Sequence, residues 1–229
     1  MEERLIKGTK VRDKYEDQKE YVISTVQEFE EDTFGQGKFI YGMKGFDGDK
    51  EIWLYRSEFD IIERPVIEDT IVVSAFPCCG KTYAYQHQDD ISVLDSDSSE
   101  FSWVKNSFGR NTDERHPDFP NNYIQHIKNN IGKVHIIFVS SHLQVRQALT
   151  EAGIKFITVY PKQHMLHEWV GRMYCRGNND KFIKFQIEHW NEFVKNVEDE
   201  PHGSELLRLG SNEYIDLSAL QYAWNKTNV

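Results

Sequence analysis

Residues 71–82 read Ile-Val-Val-Ser-Ala-Phe-Pro-Cys-Cys-Gly-Lys-Thr, an apolar, β-branched run that passes straight into a turn ending in Gly-Lys-Thr. Such a run reads as a buried strand, and the turn follows the pattern G-x-x-x-x-G-K-[ST] at Gly80, Lys81 and Thr82. Ala75 stands where the first glycine belongs. Each part has a chemical task. A turn over Ala75, Phe76, Pro77, Cys78, Cys79 and Gly80 that points its N–H groups inward makes a concave anion site. Lys81 is then expected to reach terminal phosphates, and the Thr82 hydroxyl to hold Mg²⁺. A weakly helical stretch over 82–88 would add a positive helix end. Alanine suits the first position unless the backbone there needs a positive φ.

Outward from this loop, residues from 66 onward alternate strand and helix, which implies a parallel sheet covered on both faces. Strands are expected over 70–74, 91–94, 134–140, 156–160 and 206–209. Helices are expected over 121–130, 143–152, 164–175 and 180–198. Ligands of such sheets gather beyond the C-terminal strand ends. The second strand runs into Asp95-Ser96-Asp97-Ser98-Ser99. Two carboxylates at i and i+2 there can divide the work: Asp95 ordering a metal shell, Asp97 taking the proton of an attacking hydroxyl. The bland alternative is an acidic turn that caps a helix. The third strand runs into Ser140-Ser141-His142; Ser141 and His142 are candidate substrate contacts, with helix capping the alternative for the histidine. Arg172 and Arg176 lie one turn apart before Gly177-Asn178-Asn179, suited to closing over a polyphosphate, or to a solvated face that pairs with Glu168. The stretch 108–130, with Arg110, Arg115 and two prolines, reads as a long insertion that receives an acceptor, its arginines available to an acceptor phosphate.

Residues 1–64 have a different texture, with short β-rich stretches at 7–12, 21–28, 38–44 and 51–62 between acidic or glycine-bearing turns. Four or five strands in so short a span resemble an SH3-like or Tudor-like barrel. Tyr21, Tyr41, Trp53 and Tyr55 either fill its interior or line a binding mouth. The division expected is therefore a small β-barrel over 1–64 and an α/β domain over 65–229.

The 229 residues are 39% hydrophobic and 28% charged, which suits a globular protein with a real core. No stretch approaches the ~18 apolar residues of a membrane span, and the N-terminus lacks the apolar run of a signal peptide. The formal charge of −10 argues against general attraction to nucleic acid. Residues 1–64 carry 16 acids against 11 bases, so a nucleic-acid contact there needs local basic clustering. Cys78, Cys79 and Cys175 form no disulfide framework, and the cytoplasm is the expected compartment. A redox switch at the adjacent pair is the alternative.

Residues 70–217 resemble the nucleoside/nucleotide and shikimate kinase group of P-loop phosphotransferases, on the loop Ala75–Thr82, the Asp95-Ser96-Asp97 triplet and the Arg172/Arg176 pair. The chain is also similar to phage-encoded proteins described as nucleotide kinase-like, for which the compartment would be the host cytoplasm. The resemblance implies a five-stranded parallel sheet of order 2-3-1-4-5 and ATP with Mg²⁺ as cofactors. It places Asp95 in the metal shell, Asp97 at the acceptor hydroxyl and both arginines in a lid. Ser140-Ser141-His142 departs from the glycine triplet of shikimate kinases, which speaks against shikimate itself. No Walker B aspartate ends the third strand. The leading expectation is phosphoryl transfer from ATP to a nucleoside, nucleotide or similar small acceptor. The alternatives are a kinase acting on a nucleic-acid end or a hydroxymethylated base, and a non-catalytic nucleotide-binding adaptor whose barrel holds a protein.

Overall fold

The computed structural model describes residues 5, 9–15, 19–28, 39–45, 52–55, 58–63, 67, 69–86, 91–199, 202 and 205–227. Two compact units emerge: Met1–Glu68 with Gln88–Ser92, and Asp69–His87 with Val93–Val229. The expected turns at 30–37 and 46–50 lie outside the described residues.

The first unit is one antiparallel sheet. Its strands are β1 (Lys10–Asp13), β2 (Glu20–Glu28), β3 (Phe39–Gly45), β4 (Ile52–Tyr55) and β5 (Phe59–Glu63), in the order β4-β3-β2-β1-β5. β4 and β5 sit on opposite edges although only residues 56–58 separate them. A flat five-stranded sheet would hold its edge strands about 19 Å apart, whereas the four steps from Tyr55 to Phe59 span at most about 14 Å. The sheet must therefore curl. Register shifts between Lys10 and Val11 and between Ile23 and Thr25 supply local bends. Inside the curl lie Leu5, Val11, Tyr21, Ile23, Tyr41, Met43 and Phe59. Tyr41 meets Phe59 edge-on at 5.4 Å, and its hydroxyl accepts the Leu5 amide at 3.3 Å. Tyr21 and Tyr41 are thus core residues, while Trp53 is 39% exposed.

The second unit is built on a separate parallel sheet of β6 (Ile71–Ala75), β7 (Val93–Asp95), β10 (Ile136–Ser140), β11 (Ile157–Pro161) and β12 (Glu205–Leu209). Its order is β12-β11-β6-β10-β7, with β6 central and buried along its whole length. Helices α3 (Asn121–Asn130) and α4 (Leu143–Glu151) cover one face, where Tyr123, Ile127, Val145 and Leu149 meet Val72, Ile137 and Val139. Helices α5 (Leu166–Cys175) and α6 (Asp180–Asp199) bring Trp169 and Trp190 together at 6.2 Å, with Phe76 against Trp190 at 5.6 Å. The remaining helices are α1 (Lys81–Gln86), α2 (Ser99–Ser102) and α7 (Leu217–Thr227). Strands β8 (Trp103–Lys105) and β9 (Asn111–Arg115) pair as an antiparallel ribbon. Among the described residues no helix is long and apolar enough to cross a membrane.

The expected fold, a parallel sheet of order 2-3-1-4-5 behind a small SH3- or Tudor-like barrel, is corrected at its N-terminal part. The chain builds two separate five-stranded sheets: the parallel one, counted from β6, runs 2-3-1-4-5, while the N-terminal one is a curled antiparallel half-barrel, because β4 and β5 end as edges with no ladder between them among the described residues. The β-rich stretch expected over 51–62 holds the two strands β4 and β5. The stretch expected as a long insertion over 108–130 contains one strand of the β8–β9 ribbon and all of α3.

Phe59 is fully buried. Phe59→Ala should lower the stability of the first unit by about 3–5 kcal/mol. Tyr41→Phe, which removes the hydroxyl at the Leu5 amide, should cost about 1 kcal/mol. Chemical denaturation of the two variants measures both values.

Candidate functional site

β6 delivers the chain into the loop 76–80, and the carbonyls of Pro77, Cys78, Cys79 and Gly80 have partners. The Pro77 carbonyl accepts Trp169 Nε1 at 2.9 Å, and the Cys78 carbonyl accepts Arg172 Nη1 at 3.5 Å. The Cys79 carbonyl accepts the Ile215 amide, and the Gly80 carbonyl accepts the Ala84 amide, each at 2.9 Å. With these oxygens tied away, the amides of Cys78, Cys79, Gly80, Lys81 and Thr82 are left without an acceptor among the described residues. Cys78 (φ 62°) and Gly80 (φ 99°) take left-handed backbone, the alternation that makes successive N–H groups converge. Ala75 ends β6 without a positive φ, so the missing first glycine is tolerated. α1 follows the expected helical stretch as far as Gln86, and residues 87 and 88 lie outside the described residues.

Lys81 Nζ donates to the Ala75 carbonyl at 3.0 Å, which lays the side chain back across the loop. Cys79 is buried, its thiol donates weakly to the Val159 carbonyl at 3.8 Å, and burial pushes its pKa up to about 12. Burial also raises Cys78, although Arg176, Lys81 and Arg172 oppose the shift. Neither thiol has the low pKa of a reactive cysteine, and all three cysteines are free.

Two pockets flank the loop. One, of about 610 Å³, is lined by Gly80, Lys81, Thr82, Arg172, Arg176 and Tyr214 among others. The other, of about 340 Å³, is lined by Ala75, Lys81, Asp95, Asp97, Ser140, Ser141, His142 and Arg176 among others. Lys81 and Arg176 are the residues common to both. They stand where an anion in the first pocket would meet a group in the second.

Arg172 is fixed. It bonds Glu168 through Nε at 3.1 Å, and its guanidinium lies 4.0 Å from the ring centres of both Trp169 and Tyr214. Glu168 in turn accepts the Asn212 amide at 2.9 Å, which holds its carboxyl below the usual range, with Arg172 adding to the effect. The corner at Gly177-Asn178-Asn179 is tied as well. Gly177 (φ 79°) donates to Tyr174, Asn178 to Met173, and Asn179 Oδ1 caps α6 through the Phe182 amide at 2.9 Å. The corner after the two arginines is thus a braced turn, and Arg172 belongs to a preformed wall.

On the other side, burial raises the pKa of Asp95, against the pull of Lys81 and Arg176, and Asp97 adds to the rise. Asp97 Oδ1 accepts the Ser99 amide at 2.9 Å, so the capping reading and a place in the pocket hold together. His142 Nδ1 lies 2.8 Å from Ser140 Oγ. The ring retains some solvent access, yet its close surroundings, Arg115 and Lys81 disfavour the imidazolium, with Asp97 opposing. Arg115 stacks 4.6 Å from Trp103 and 5.4 Å from Phe119, which places its charge at the rim beside His142. Arg110 stays at the far turn of the β8–β9 ribbon, where its amide bonds Asn106 Oδ1, and it lines neither pocket.

Thr82 and Asp95 are hard oxygen donors of the kind magnesium takes, on opposite sides of Lys81. Among the described residues no three His, Cys, Asp or Glu side chains gather into a metal cage. A magnesium ion ligated mostly by phosphate and water uses only one or two protein oxygens, so this donor set fits it.

Several site residues carried no readable signal. Trp169 and Tyr214 brace the loop from positions far along the chain, whereas the Arg172–Glu168 pair was one of the two expected readings. The Tyr123 hydroxyl donates to the Ser96 carbonyl at 2.7 Å and accepts the Ser140 amide at 3.3 Å, tying the ends of β7 and β10. Asn178 and Gln186 line the smaller pocket. No protein-family model matches this chain, and no curated protein matches it.

A Cβ on Gly80 would lie 3.3 Å from Tyr214 Cβ and Cδ1 at a φ of +99°. Gly80→Ala should therefore introduce about 1–3 kcal/mol of local strain, and calorimetry should show weaker binding of inorganic triphosphate with the fold intact by circular dichroism. The His142 ring should titrate below the ordinary value of about 6.5. Because Asp97 favours the imidazolium, Asp97→Asn should move that titration lower still, and Arg115→Gln should move it higher. Ring-proton NMR across pH reads both shifts, and an upward move in Asp97→Asn would remove Asp97 from the neighbourhood of His142.

Proposed function

We propose that the second unit transfers the terminal phosphoryl group of ATP to a hydroxyl of a nucleoside, nucleotide or similar small acceptor. The reading is carried by one observation: the pocket beside the inward amides and the pocket holding Asp95 and Asp97 meet at Lys81 and Arg176. The polyphosphate lies on the loop amides, with Lys81 leaving the Ala75 carbonyl to reach the terminal phosphate. Arg176 neutralises charge where the phosphoryl group passes. Arg172, held by Glu168 and two rings, keeps the loop in its anion-binding shape.

The acceptor hydroxyl oxygen forms a bond to the terminal phosphorus as the bond from that phosphorus to the bridging oxygen breaks, and ADP leaves. Asp97 takes the hydroxyl proton through the oxygen that does not cap α2. Magnesium, when bound, offsets phosphate charge, and Thr82 and Asp95 are the protein oxygens that would hold it. Catalysis of this kind is mainly positioning and charge neutralisation. Use of ATP and free cysteines suits a reducing cytoplasm.

Incubation with γ-labelled ATP, Mg²⁺ and a panel of nucleosides and monophosphates should yield a labelled product. Lys81→Ala should reduce its rate by about a hundredfold or more, with Asp97→Asn close behind. No labelled product from any acceptor, with ATP bound and the fold intact, would refute phosphoryl transfer.

A further inference from the structure

The smaller pocket contains polar side chains that the protein itself leaves unanswered. Ser96 is 6% exposed and its Oγ has no hydrogen-bond partner, and the same is true of Asn178 Oδ1. Gln186, also 6% exposed, projects from α6 into this pocket with no side-chain hydrogen bond to any described residue. Buried polar groups are nearly always bonded, so the unpaired Ser96 and Asn178 oxygens, with the Gln186 carboxamide beside them in the lining, point to a ligand that bonds them. Hydroxyl and carboxamide groups both donate and accept, which matches a ligand rich in hydroxyls.

The charges narrow the choice. Lys81 and Arg176, the cations that line this pocket, are also the ones shared with the phosphate side. Asp95 and Asp97 are the only other charges lining it, and His142 is biased towards the neutral ring. Arg115 stays stacked on Trp103 and Phe119 outside the lining. A second phosphate carried in by an acceptor would therefore face two carboxylates without a cation of its own.

The pocket shares Pro77, Ser141, His142 and Gln186 with a third space of about 230 Å³ beside it. Phe76, Leu143 and Phe193 give this space apolar walls, while Gln186 and Asn196 sit at its edge. Arg146 there is buried, donates to the Asn196 carbonyl at 3.3 Å and shares the lining with Glu192. A flat heteroaromatic ring fits such walls, with its polar edge towards the carboxamides.

We infer that the acceptor is an uncharged nucleoside, its sugar hydroxyls among Asp97, Ser96, Asn178 and Gln186 and its base against Phe76 and Phe193, and that nucleoside monophosphates are rejected by Asp97. This rests on the phosphoryl-transfer reading of the same site and narrows it. Unpaired like charges are a standard means of excluding a close analogue.

The test is calorimetric binding of matched nucleosides and their 5′-monophosphates, with the larger pocket filled by a non-hydrolysable ATP analogue and Mg²⁺. At least one nucleoside should bind at least about tenfold more tightly than its monophosphate. Gln186→Leu should weaken that nucleoside by about tenfold without changing binding of the ATP analogue. Asp97→Asn should narrow the gap between nucleoside and monophosphate. Equal or tighter binding of the monophosphates, or no binding of any nucleoside, overturns the inference. Preferential nucleoside binding with no phosphoryl transfer would sink the kinase reading alone and leave the assignment of the pocket standing.

Discussion

The outward tethering of the loop carbonyls is the constraint on which the rest of the second unit's chemistry depends. A polypeptide turn has no intrinsic reason to present five amides to one point. Here Trp169 and Arg172 on α5, Ile215 ahead of α7 and Ala84 in α1 each take one carbonyl, and the peptide planes are left with their N–H groups facing in. Left-handed φ at Cys78 and Gly80 completes the turn. Tyr214 closes on Gly80 so nearly that a side chain there meets it at 3.3 Å. Apart from Ala84, the groups that tether this loop lie more than ninety residues away from it in the chain.

The same bracing explains the fixed arginine wall. Arg172 is held by Glu168, Trp169 and Tyr214, and α5 joins α6 through a corner closed by its own hydrogen bonds. Arg176 follows on that rigid support and lines both pockets. A preformed charge of this kind needs no reorganisation as charge develops, which is the condition under which such groups contribute most. On the opposite side, Tyr123 ties the ends of β7 and β10, so Asp95, Ser96 and Ser140 share one rim.

Much of this site was legible from local pattern. The strand before the loop, the Gly-Lys-Thr terminus, the carboxylates Asp95 and Asp97 and the pair Arg172 and Arg176 are all short-range signals, and the structure gathers them around two adjoining pockets. Arg110 is the exception: the β8–β9 ribbon carries it away from both pockets, although Arg115, on the same ribbon, reaches the rim beside His142. The ribbon itself has little hydrophobic alternation, since β9 reads Asn-Thr-Asp-Glu-Arg and is nearly all exposed. Its pairing is therefore invisible to periodicity.

The N-terminal unit makes the same division plainer. Alternation along residues 1–64 is enough to specify short antiparallel strands with an apolar side, because side-chain direction in a strand depends only on the residue and its neighbours. Whether the two ends of such a sheet join depends on hydrogen bonds between strands distant in space, and β4 and β5 remain edges of a curled half-barrel. Local chemistry set the strands, the Gly-Lys-Thr turn and the identities of the charged groups. Packing over long sequence separations chose the carbonyl tethers, the braced Arg172 and the unanswered Ser96 and Asn178 oxygens around the smaller pocket. Those depend on which residues meet, and no short window of sequence contains both partners.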